Sequence, residues 1–291
     1  MKWEGQEQSD NVEDRRDDGG GIGGSGIGGR HIGIGGIVIA LAASYFFGIN
    51  PLTVLGLMSG GGGVAPTAQT APAHAPPPGD KQAEFVSVVL RDTEQEWGAI
   101  FQAAGGHYVD PKLVLFRGET PTACGTGETA MGPFYCPGDS KVYLDLNFFD
   151  TLSQRLGAPG QFAEAYVVAH EVGHHVQHLL GITDKVDALR QRQTQAQQNA
   201  TSVRVELQAD CFAGVWAYHS QQSKGWLETG DIESALNAAS QIGDDTLQRR
   251  SQGRVVPETF THGTSAQRVG WFKRGLASGD IKQCDTFASS D

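Results

Sequence analysis

The residues with the clearest capacity for chemistry are His170, Glu171 and His174, which form an HExxH pentapeptide inside an apolar helical stretch. Residues four apart on a helix share a face, with Cβ atoms about 5–6 Å apart, so both imidazoles can reach one small cation. Zinc favours a tetrahedral set of such ligands. Glu171 is positioned to hold a metal-bound water instead of the metal. The alternative is a chance match on a core helix whose histidines are satisfied by hydrogen bonds.

Residues 206–210, with the sequence ELQAD, supply a third candidate ligand. A catalytic zinc needs three protein ligands and one open position, and two His with one Glu is a known set. The interval between the motifs lets the first helix end near Gly181 and a second return beside it, bringing Glu206 to the histidines. Asp210 falls on the same helical face, where it can accept the N–H of a ligand histidine. The alternative is a solvated acidic stripe. The apolar run 211–217 disfavours it, because buried carboxylates need partners.

Two other metal classes fit the sequence less well. A metzincin would have Gly at position 177 and a third His at position 180, where this chain has Gln177 and Leu180. A carboxylate-bridged di-iron bundle would need a second Glu-x-x-His pair, and residues 206–209 contain no His. His175 and His178 lie near the motif and are interpreted as helix-face residues. The pattern therefore predicts one Zn²⁺ per chain.

Taken together, these motifs resemble the bacterial neutral zinc metallopeptidase family. The resemblance also includes THGTSAQR at 261–268, MKWEG at 1–5 and SDNVEDRR at 9–16, and it extends over nearly the whole chain. Its motifs are similar to those of gluzincin proteases. The resemblance implies a zinc-bound water and a Glu as the third ligand. It indicates a chemistry more firmly than a biological role.

Two further site candidates lie in residues 261–268. The developing oxyanion in hydrolysis needs donors besides the metal, and His262, just before a helix N-terminus, is placed to supply one. Arg268 can add positive charge or brace the loop. The alternative is that His262 and Arg268 only fasten the C-terminal helix to the core, and the sequence leaves both interpretations open.

Composition excludes one class of partner. The chain has 291 residues and a formal net charge of −11, with no run of Lys and Arg interleaved with aromatic residues. Nucleic acid is therefore not an expected partner. The C-terminal part is long enough to bury a full single core.

The chain divides into four predicted regions. Residues 1–31 are acidic and Gly-rich, and we expect a disordered cytoplasmic tail, because such a segment buries too little apolar surface to offset its ordering entropy. Residues 32–58 are expected to be a transmembrane anchor and its flank. Residues 59–80, rich in Gly, Ala and Pro, read as a linker. Residues 81–291 form the expected metallopeptidase domain.

The anchor prediction rests on residues 32–49, which carry no charge and are long enough to span a bilayer as a helix. A cleaved signal peptide would begin with a short basic region, and a core helix would not lie between a disordered tail and a linker. Arg15, Arg16 and Arg30 precede the stretch, and the next basic residue is Lys81. The positive-inside rule then predicts a single-pass protein of the bacterial inner membrane with its catalytic domain on the periplasmic side.

All four cysteines, Cys124, Cys136, Cys211 and Cys284, follow the predicted anchor. An even number in an exported domain indicates disulfides. Cys124–Cys136 would close a Gly/Pro-rich loop, and Cys211–Cys284 would pin the C-terminal tail. Four cysteines allow three connectivities, and Cys211 on a buried helix could also be a free apolar thiol.

Hydrophobic spacing predicts a mainly helical α+β domain of zincin type with a small β-sheet, preceded by one transmembrane helix. The predicted helices and strands are listed here: helices at 82–104, 162–180, 231–242 and 265–276, and short strands at 113–116 and 141–146. The Gln-rich residues 191–198 are expected to be a solvated helix face.

The sequence therefore predicts a membrane-anchored zinc metallopeptidase acting on a peptide or protein substrate. His170, His174 and Glu206 would bind zinc, and Glu171 would act as general base. The alternative, from another functional class, is a non-catalytic zinc-stabilised scaffold domain of the bacterial envelope. The intact Glu171 disfavours it, because a structural zinc site has four protein ligands and no use for a base.

Overall fold

The computed structural model describes residues 1–17, 74–128 and 132–288. These residues belong to one compact unit, in which the first 17 residues pack with those from 74 onward. The predicted transmembrane stretch 32–49 lies outside the described residues. Within the described ranges, no helix is both long and apolar enough to cross a bilayer.

The described unit is mainly helical with a small mixed sheet, which confirms the α+β class. Its strands are β1 (Val12–Asp14), β2 (Lys112–Phe116), β3 (Glu119–Thr122), β4 (Gly125–Glu128), β5 (Phe134–Cys136) and β6 (Lys141–Asp145). Its α-helices are α1 (Lys81–Ala103), α2 (Asn147–Asp150), α3 (Gln161–Leu179), α4 (Ile182–Arg190), α5 (Gln195–Lys224), α6 (Asp231–Gln241), α7 (Asp244–Gln252) and α8 (Ser265–Ser278). A π-helical segment, Thr151–Arg155, continues from α2, and 3₁₀ turns occupy Pro257–Thr259 and Ile281–Cys284.

The main sheet has the strand order β1-β2-β6-β5, with β1, β2 and β6 parallel and β5 antiparallel at one edge. Side chains alternate between the two faces of a strand. Leu113 and Leu144 therefore join the main helical core, whereas Val114 and Tyr143 form a small cluster on the opposite face. The helices cover one face of the sheet and build the site there. A separate hairpin pairs β3 with β4.

The N-terminal residues correct the prediction of a disordered tail over 1–31. In residues 1–17 the chain is folded: Val12–Asp14 form β1, and Trp3 is buried against Phe85 with ring centroids 5.4 Å apart. The acidic side chain of Glu13 is buried because Lys112 and Lys141 approach it at 3.1 and 2.8 Å. The prediction of disorder was wrong because it treated these residues together with the Gly-rich stretch that follows. It also could not take into account the lysines on distant strands that pair with Glu13. Residues 74–80 of the predicted linker are also part of the fold, since Asp80 caps α1.

Local sequence accounts for the two helices that carry the metal motifs. The helix α3 begins after Gly160 and ends before Gly181, whose φ of 67° is the left-handed conformation that glycine adopts at little cost. The helix α5 begins with a reciprocal capping box between Thr194 and Gln197 and ends at Gly225, also left-handed. These capping residues set where both helices begin and end, and the two motifs then lie side by side.

The last helix, α8, packs against α5 at a crossing made possible by two glycines. A Cβ added at Gly275 would lie 2.0 Å from the carbonyl oxygen of Cys211, and one added at Gly214 would lie 2.1 Å from that of Phe272. Neither position can hold a side chain unless the helices move apart. The crossing delivers Arg268 of α8 into the interior, where it is 2% exposed.

Both predicted disulfides are present, and all four cysteines are used. Cys124–Cys136 joins the β3–β4 hairpin to β5, and Cys211–Cys284 ties the C-terminal 3₁₀ turn to α5. The alternative of a free apolar thiol at Cys211 is wrong. The predicted helices and the strands at 113–116 and 141–146 are confirmed within one or two residues. The short strands β1, β3, β4 and β5 and the helices α2, α4 and α7 were not predicted.

The glycine crossing generates a stability prediction. Gly275→Ala should lower the free energy of unfolding by about 1–3 kcal/mol, the usual cost of overpacking, because the new methyl meets the backbone of α5. The matched control is Gly270→Ala in the same helix, where nothing lies within 4 Å of the added Cβ. That variant should gain up to about 1 kcal/mol from higher helix propensity. Urea denaturation of both variants checks this, and equal shifts would contradict it.

Candidate metal centre

The site is built where α3 crosses α5 at closest approach. A Cβ added at Gly173 would lie 3.0 Å from the carbonyl oxygen of Ala209 and 3.1 Å from its Cα. Gly173 lies between the two histidines of the HExxH motif, and Ala209 lies between Glu206 and Asp210. Two small residues therefore let the helices approach closely enough for carboxylates on one to reach imidazoles on the other.

The structure brings the three predicted ligands together. One donor atom each from His170, His174 and Glu206 lies within 4.8 Å of the other two. The Nε2 atom of His170 is 3.1 Å from Oε2 of Glu206, and Nε2 of His174 is 3.5 Å from Oε1 of the same residue. Two imidazole nitrogens and one carboxylate form a donor set typical of catalytic zinc, with a fourth position left for water or substrate. The residues present therefore fit a single zinc ion.

The predicted partner of a ligand histidine is also in place. Nδ1 of His170 donates to Oδ1 of Asp210 at 2.9 Å, and its Nε2 faces Oε2 of Glu206 at 3.1 Å, the side on which a metal ion would bind. Burial alone would lower the pKa of His170, but the carboxylates of Asp210 and Glu206 raise it to about 10. A cluster that attracts a proton this strongly offers the same negative potential to a metal cation.

Asp210 itself is fully buried and is held by three helices. It accepts from Nε and Nη2 of Arg268 at 2.8 and 2.9 Å, and from the hydroxyl of Tyr166. Burial would raise the pKa of Asp210, but the Arg268 guanidinium and His170 lower it to about 2, so the group stays ionised. Arg268 therefore holds the candidate ligand His170 in place through Asp210. Lining the cleft is not its only role. Tyr166, four residues before His170, was not predicted, although its helical spacing from His170 was visible.

The second ligand histidine is oriented by a residue of its own helix. Nδ1 of His174 donates to Oε1 of Gln177 at 2.9 Å. The amide of Gln177 is fixed because its Nε2 donates to the carbonyl oxygen of Val205 at 2.8 Å and to Oε1 of Gln208 at 3.1 Å. Gln177 thus presents its oxygen to the imidazole and sets the tautomer that exposes Nε2. From the sequence, Gln177 served only to exclude a metzincin, and its role in orienting His174 was not predicted.

Glu171 lies beside the cluster without joining it. Its side chain lines the same cleft as the three ligands and is 7% exposed. Burial raises the pKa of Glu171, and the neighbouring His170 and His174 oppose that effect. A carboxylate with a raised pKa next to an open ligand position is suited to accept and return a proton.

His262 reaches the site from the loop before α8. It lines the cleft, and its Nδ1 lies 3.3 Å from Oδ1 of Asp244. The other carboxylate oxygen of Asp244 accepts the backbone N–H groups of Thr261, His262 and Gly263 at 2.7, 2.6 and 3.0 Å. The hydrogen bond that His262 donates to the carboxylate of Asp244 raises the pKa of His262. Asp244 was not predicted, because no spacing in the sequence links residue 244 to residue 262.

The remaining histidines of the motif helix face elsewhere. His175 is buried and contacts the carbonyl oxygen of Val109 at 2.6 Å and the hydroxyl of Tyr135 at 3.0 Å. Burial lowers the pKa of His175 to about 4, so it is a neutral core residue. The ring of His178 lies beside Tyr135 with centroids 6.2 Å apart. Neither belongs to the candidate metal cluster found among the described residues.

The cleft in front of the ligands has a volume of about 1000 Å³. Its walls are largely apolar and come from β5, α2, the π-helical segment, α4 and α7. Representative lining residues are Tyr135, Phe148, Leu156, Val186 and Leu247. A cleft of this size and character can hold an extended peptide segment with bulky side chains.

The hydrogen-bond network around Asp210 predicts that removing a buried positive charge costs more stability than removing an exposed one. Arg268→Leu should lower the free energy of unfolding by about 3–5 kcal/mol, because it leaves a buried carboxylate without its cation. The matched control is Arg274→Leu on the same helix, an exposed residue that stacks on Trp271 at 4.9 Å. That change should cost no more than about 1 kcal/mol. Chemical denaturation followed by circular dichroism measures both, and comparable losses would count against a buried network.

Comparisons with known proteins agree with this geometry. The family model described as putative neutral zinc metallopeptidase matches residues 1–287. The uncharacterized protein YpfJ of Escherichia coli strain K12 is 54% identical over 295 aligned residues, covering all of both chains. The uncharacterized protein Rv2575 of Mycobacterium tuberculosis strain H37Rv is 45% identical over 218 residues, covering 71% of this chain and 72% of its own. No solved structure matches the chain.

The family model covers the N-terminal strand, both metal motifs and the last helix, which are the parts that the structure brings into one unit. The chain belongs to the neutral zinc metallopeptidase family.

Proposed function

We propose that the protein is a zinc-dependent peptidase that hydrolyses peptide bonds in its cleft. The observation that carries this proposal is the pairing of an incomplete ligand set with a carboxylate that is not a ligand. His170, His174 and Glu206 offer three donors within 4.8 Å, and Glu171 lines the cleft beside them. A structural zinc site would be closed by a fourth protein ligand.

Zinc would be held by Nε2 of His170, Nε2 of His174 and a carboxylate oxygen of Glu206. When bound, zinc acts as a Lewis acid that lowers the pKa of a water to about 7 and polarises the carbonyl of the substrate. Asp210 and Gln177 keep the two imidazoles in the tautomers that present Nε2. The protein therefore supplies both the donors and the groups that aim them.

Glu171 would carry the proton through the reaction. Its carboxylate takes a proton from the attacking water as the water oxygen bonds to the carbonyl carbon. It then gives that proton to the amide nitrogen as the carbon–nitrogen bond breaks, releasing a carboxylic acid and an amine. The raised pKa of Glu171 suits both steps, because the group must accept and release the same proton.

His262 would stabilise the charge that develops on the carbonyl oxygen. With Nδ1 held by Asp244, the other ring nitrogen is available to donate into the cleft. Asp244 favours the protonated imidazole and fixes the loop through three backbone hydrogen bonds. We assign His262 as the oxyanion donor and Asp244 as its positioning residue.

The substrate class follows from the cleft, and the location from the disulfides. An open apolar cleft favours an unfolded or extended protein segment with bulky apolar side chains. Two disulfides are typical of proteins that work in an oxidising compartment. We propose that the protein acts in the bacterial envelope outside the cytoplasm, attached to the inner membrane through the apolar residues 32–49. The scaffold alternative gains no support, because Glu171 has no use there.

The zinc and base assignments generate a paired prediction. Glu171→Gln should bind about one zinc per chain, as the parent does, and lose peptidase activity by about 10²–10⁴-fold. Glu206→Ala should lose most of its zinc. Metal analysis of the purified protein and hydrolysis of an unfolded protein such as casein measure the two effects. The control is Glu258→Gln, an exposed residue away from the cleft lining, which should change neither. Glu171→Gln activity within about threefold of the parent would favour the scaffold.

The His262 assignment is tested by separating kcat from KM. His262→Ala should lower kcat by about 10²-fold with little change in KM, because the interaction forms mainly in the transition state. Asp244→Asn should lower kcat in the same sense, and the double variant should be little worse than His262→Ala alone. Zinc content should stay at the parental value. A destabilised His262→Ala variant with near-parental kcat would instead assign His262 to fastening the loop.

A further inference from the structure

The two flanks of residues 18–73 meet in the same part of the described fold. The backbone N–H of Asp14 donates to the carbonyl oxygen of His74 at 2.7 Å, in an antiparallel bridge. On its other side, β1 pairs in parallel with β2, with Val12 opposite Leu113 and Asp14 opposite Leu115. The chain therefore leaves the unit and returns to it at one place on the sheet.

A partly buried arginine ties the end of β1 to the residue that caps α1. Arg16 binds Asp14 through Nε at 2.8 Å and Asp80 through Nη1 at 2.6 Å, with side-chain exposures of 11% for Arg16 and 22% for Asp80. Asp80 also caps the first turn of α1 by accepting from the backbone of Ala83 at 3.1 Å. The contact links the end of the N-terminal segment to the start of the first helix.

The N-terminal segment is docked along α1 as well as at the sheet. Ser9 donates to Glu94 at 2.5 Å, and its backbone carbonyl accepts from the hydroxyl of Ser87 at 2.9 Å. Trp3 packs on Phe85. These contacts are spread over more than two turns of one helix, from Phe85 to Glu94, so the docking does not depend on a single interaction.

From these contacts, independently of the proposed activity, we infer that residues 1–17 and 74–288 lie on the same side of any membrane that the protein meets. A bilayer core is about 30 Å thick. The two flanks are joined by hydrogen bonds of less than 3 Å, from the backbone N–H of Asp14 to the carbonyl oxygen of His74 and from Arg16 to Asp80, so they cannot lie on opposite sides of a bilayer.

Two of the arginines on which the prediction of a cytoplasmic N-terminus relied, Arg15 and Arg16, take part in ion pairs of the fold. Arg15 binds Glu13 at 2.6 Å, and Arg16 binds Asp14 and Asp80, all within the unit. These arginines therefore have structural partners that account for their presence. They are weaker evidence for a cytoplasmic N-terminus than free basic residues would be.

The inference is tested by labelling single cysteines in intact cells. Gln8→Cys reports on the N-terminal segment and Ala277→Cys on α8; both positions are exposed, and the four native cysteines are bonded in disulfides. A membrane-impermeant maleimide is added to spheroplasts before and after lysis. We expect the two positions to respond alike, both labelled before lysis or both only after it. Labelling of one position before lysis and of the other only after lysis would overturn the inference.

A second measurement asks whether the segment is docked in cells. Trp3 is replaced by photoreactive benzoylphenylalanine, and irradiated cells are examined for an intramolecular cross-link to the α1 peptide containing Phe85. The matched control places the same group at the exposed Gln6. A strong cross-link from position 3 and a weak one from position 6 is expected. Equal yields from the full-length, zinc-containing protein would overturn the docking on which the inference depends.

Discussion

The buried carboxylate of Asp210 is the interaction on which the rest of this structure depends. It accepts hydrogen bonds from α3 through Tyr166 and His170 and from α8 through Arg268, while belonging itself to α5. An unpaired charge at this depth would cost several kcal/mol, so each partner is required for the others to stay buried. The group that orients the candidate ligand His170 is also the group that joins three helices, and the geometry of the candidate metal centre and folding stability are therefore coupled.

The separation between α3 and α5 is a second constraint, and it is set by absent side chains. Gly173 and Ala209 are the fourth residues of the two five-residue motifs, and a Cβ added at Gly173 would lie only 3.0 Å from the carbonyl oxygen of Ala209, so a side chain there would press the helices apart. Around this contact the polar groups are satisfied in pairs: Asp210 with His170, and Gln177 with His174. The ligand nitrogens are thus fixed by packing on one side and hydrogen bonds on the other, as a preorganised site requires.

The sequence predicted those parts of the fold that depend on local pattern. Periodic hydrophobic residues located α1, α3 and the strands β2 and β6, and the motif spacing selected the three candidate ligands that the structure brings together. Partners brought close only by tertiary folding escaped prediction, as Asp244 shows for His262. The prediction of disorder for residues 1–17 was wrong for the same reason, since the charge of Glu13 is balanced by lysines about a hundred residues away in the chain. Local composition cannot register such compensation.

The position of Arg268 near the end of the chain has a kinetic consequence. Asp210 and both histidines are synthesised well before Arg268, whose guanidinium neutralises the site. The strand β1 cannot pair until β2 has been synthesised. A nascent chain that lacks α8 holds its ligand-orienting carboxylate without a counter-ion and leaves the glycine face of α5 uncovered. Productive collapse therefore requires the nearly complete polypeptide, because the partners of Asp210 and of β1 are distant from them in sequence. Assembly order itself therefore delays completion of the candidate metal centre until synthesis is almost finished.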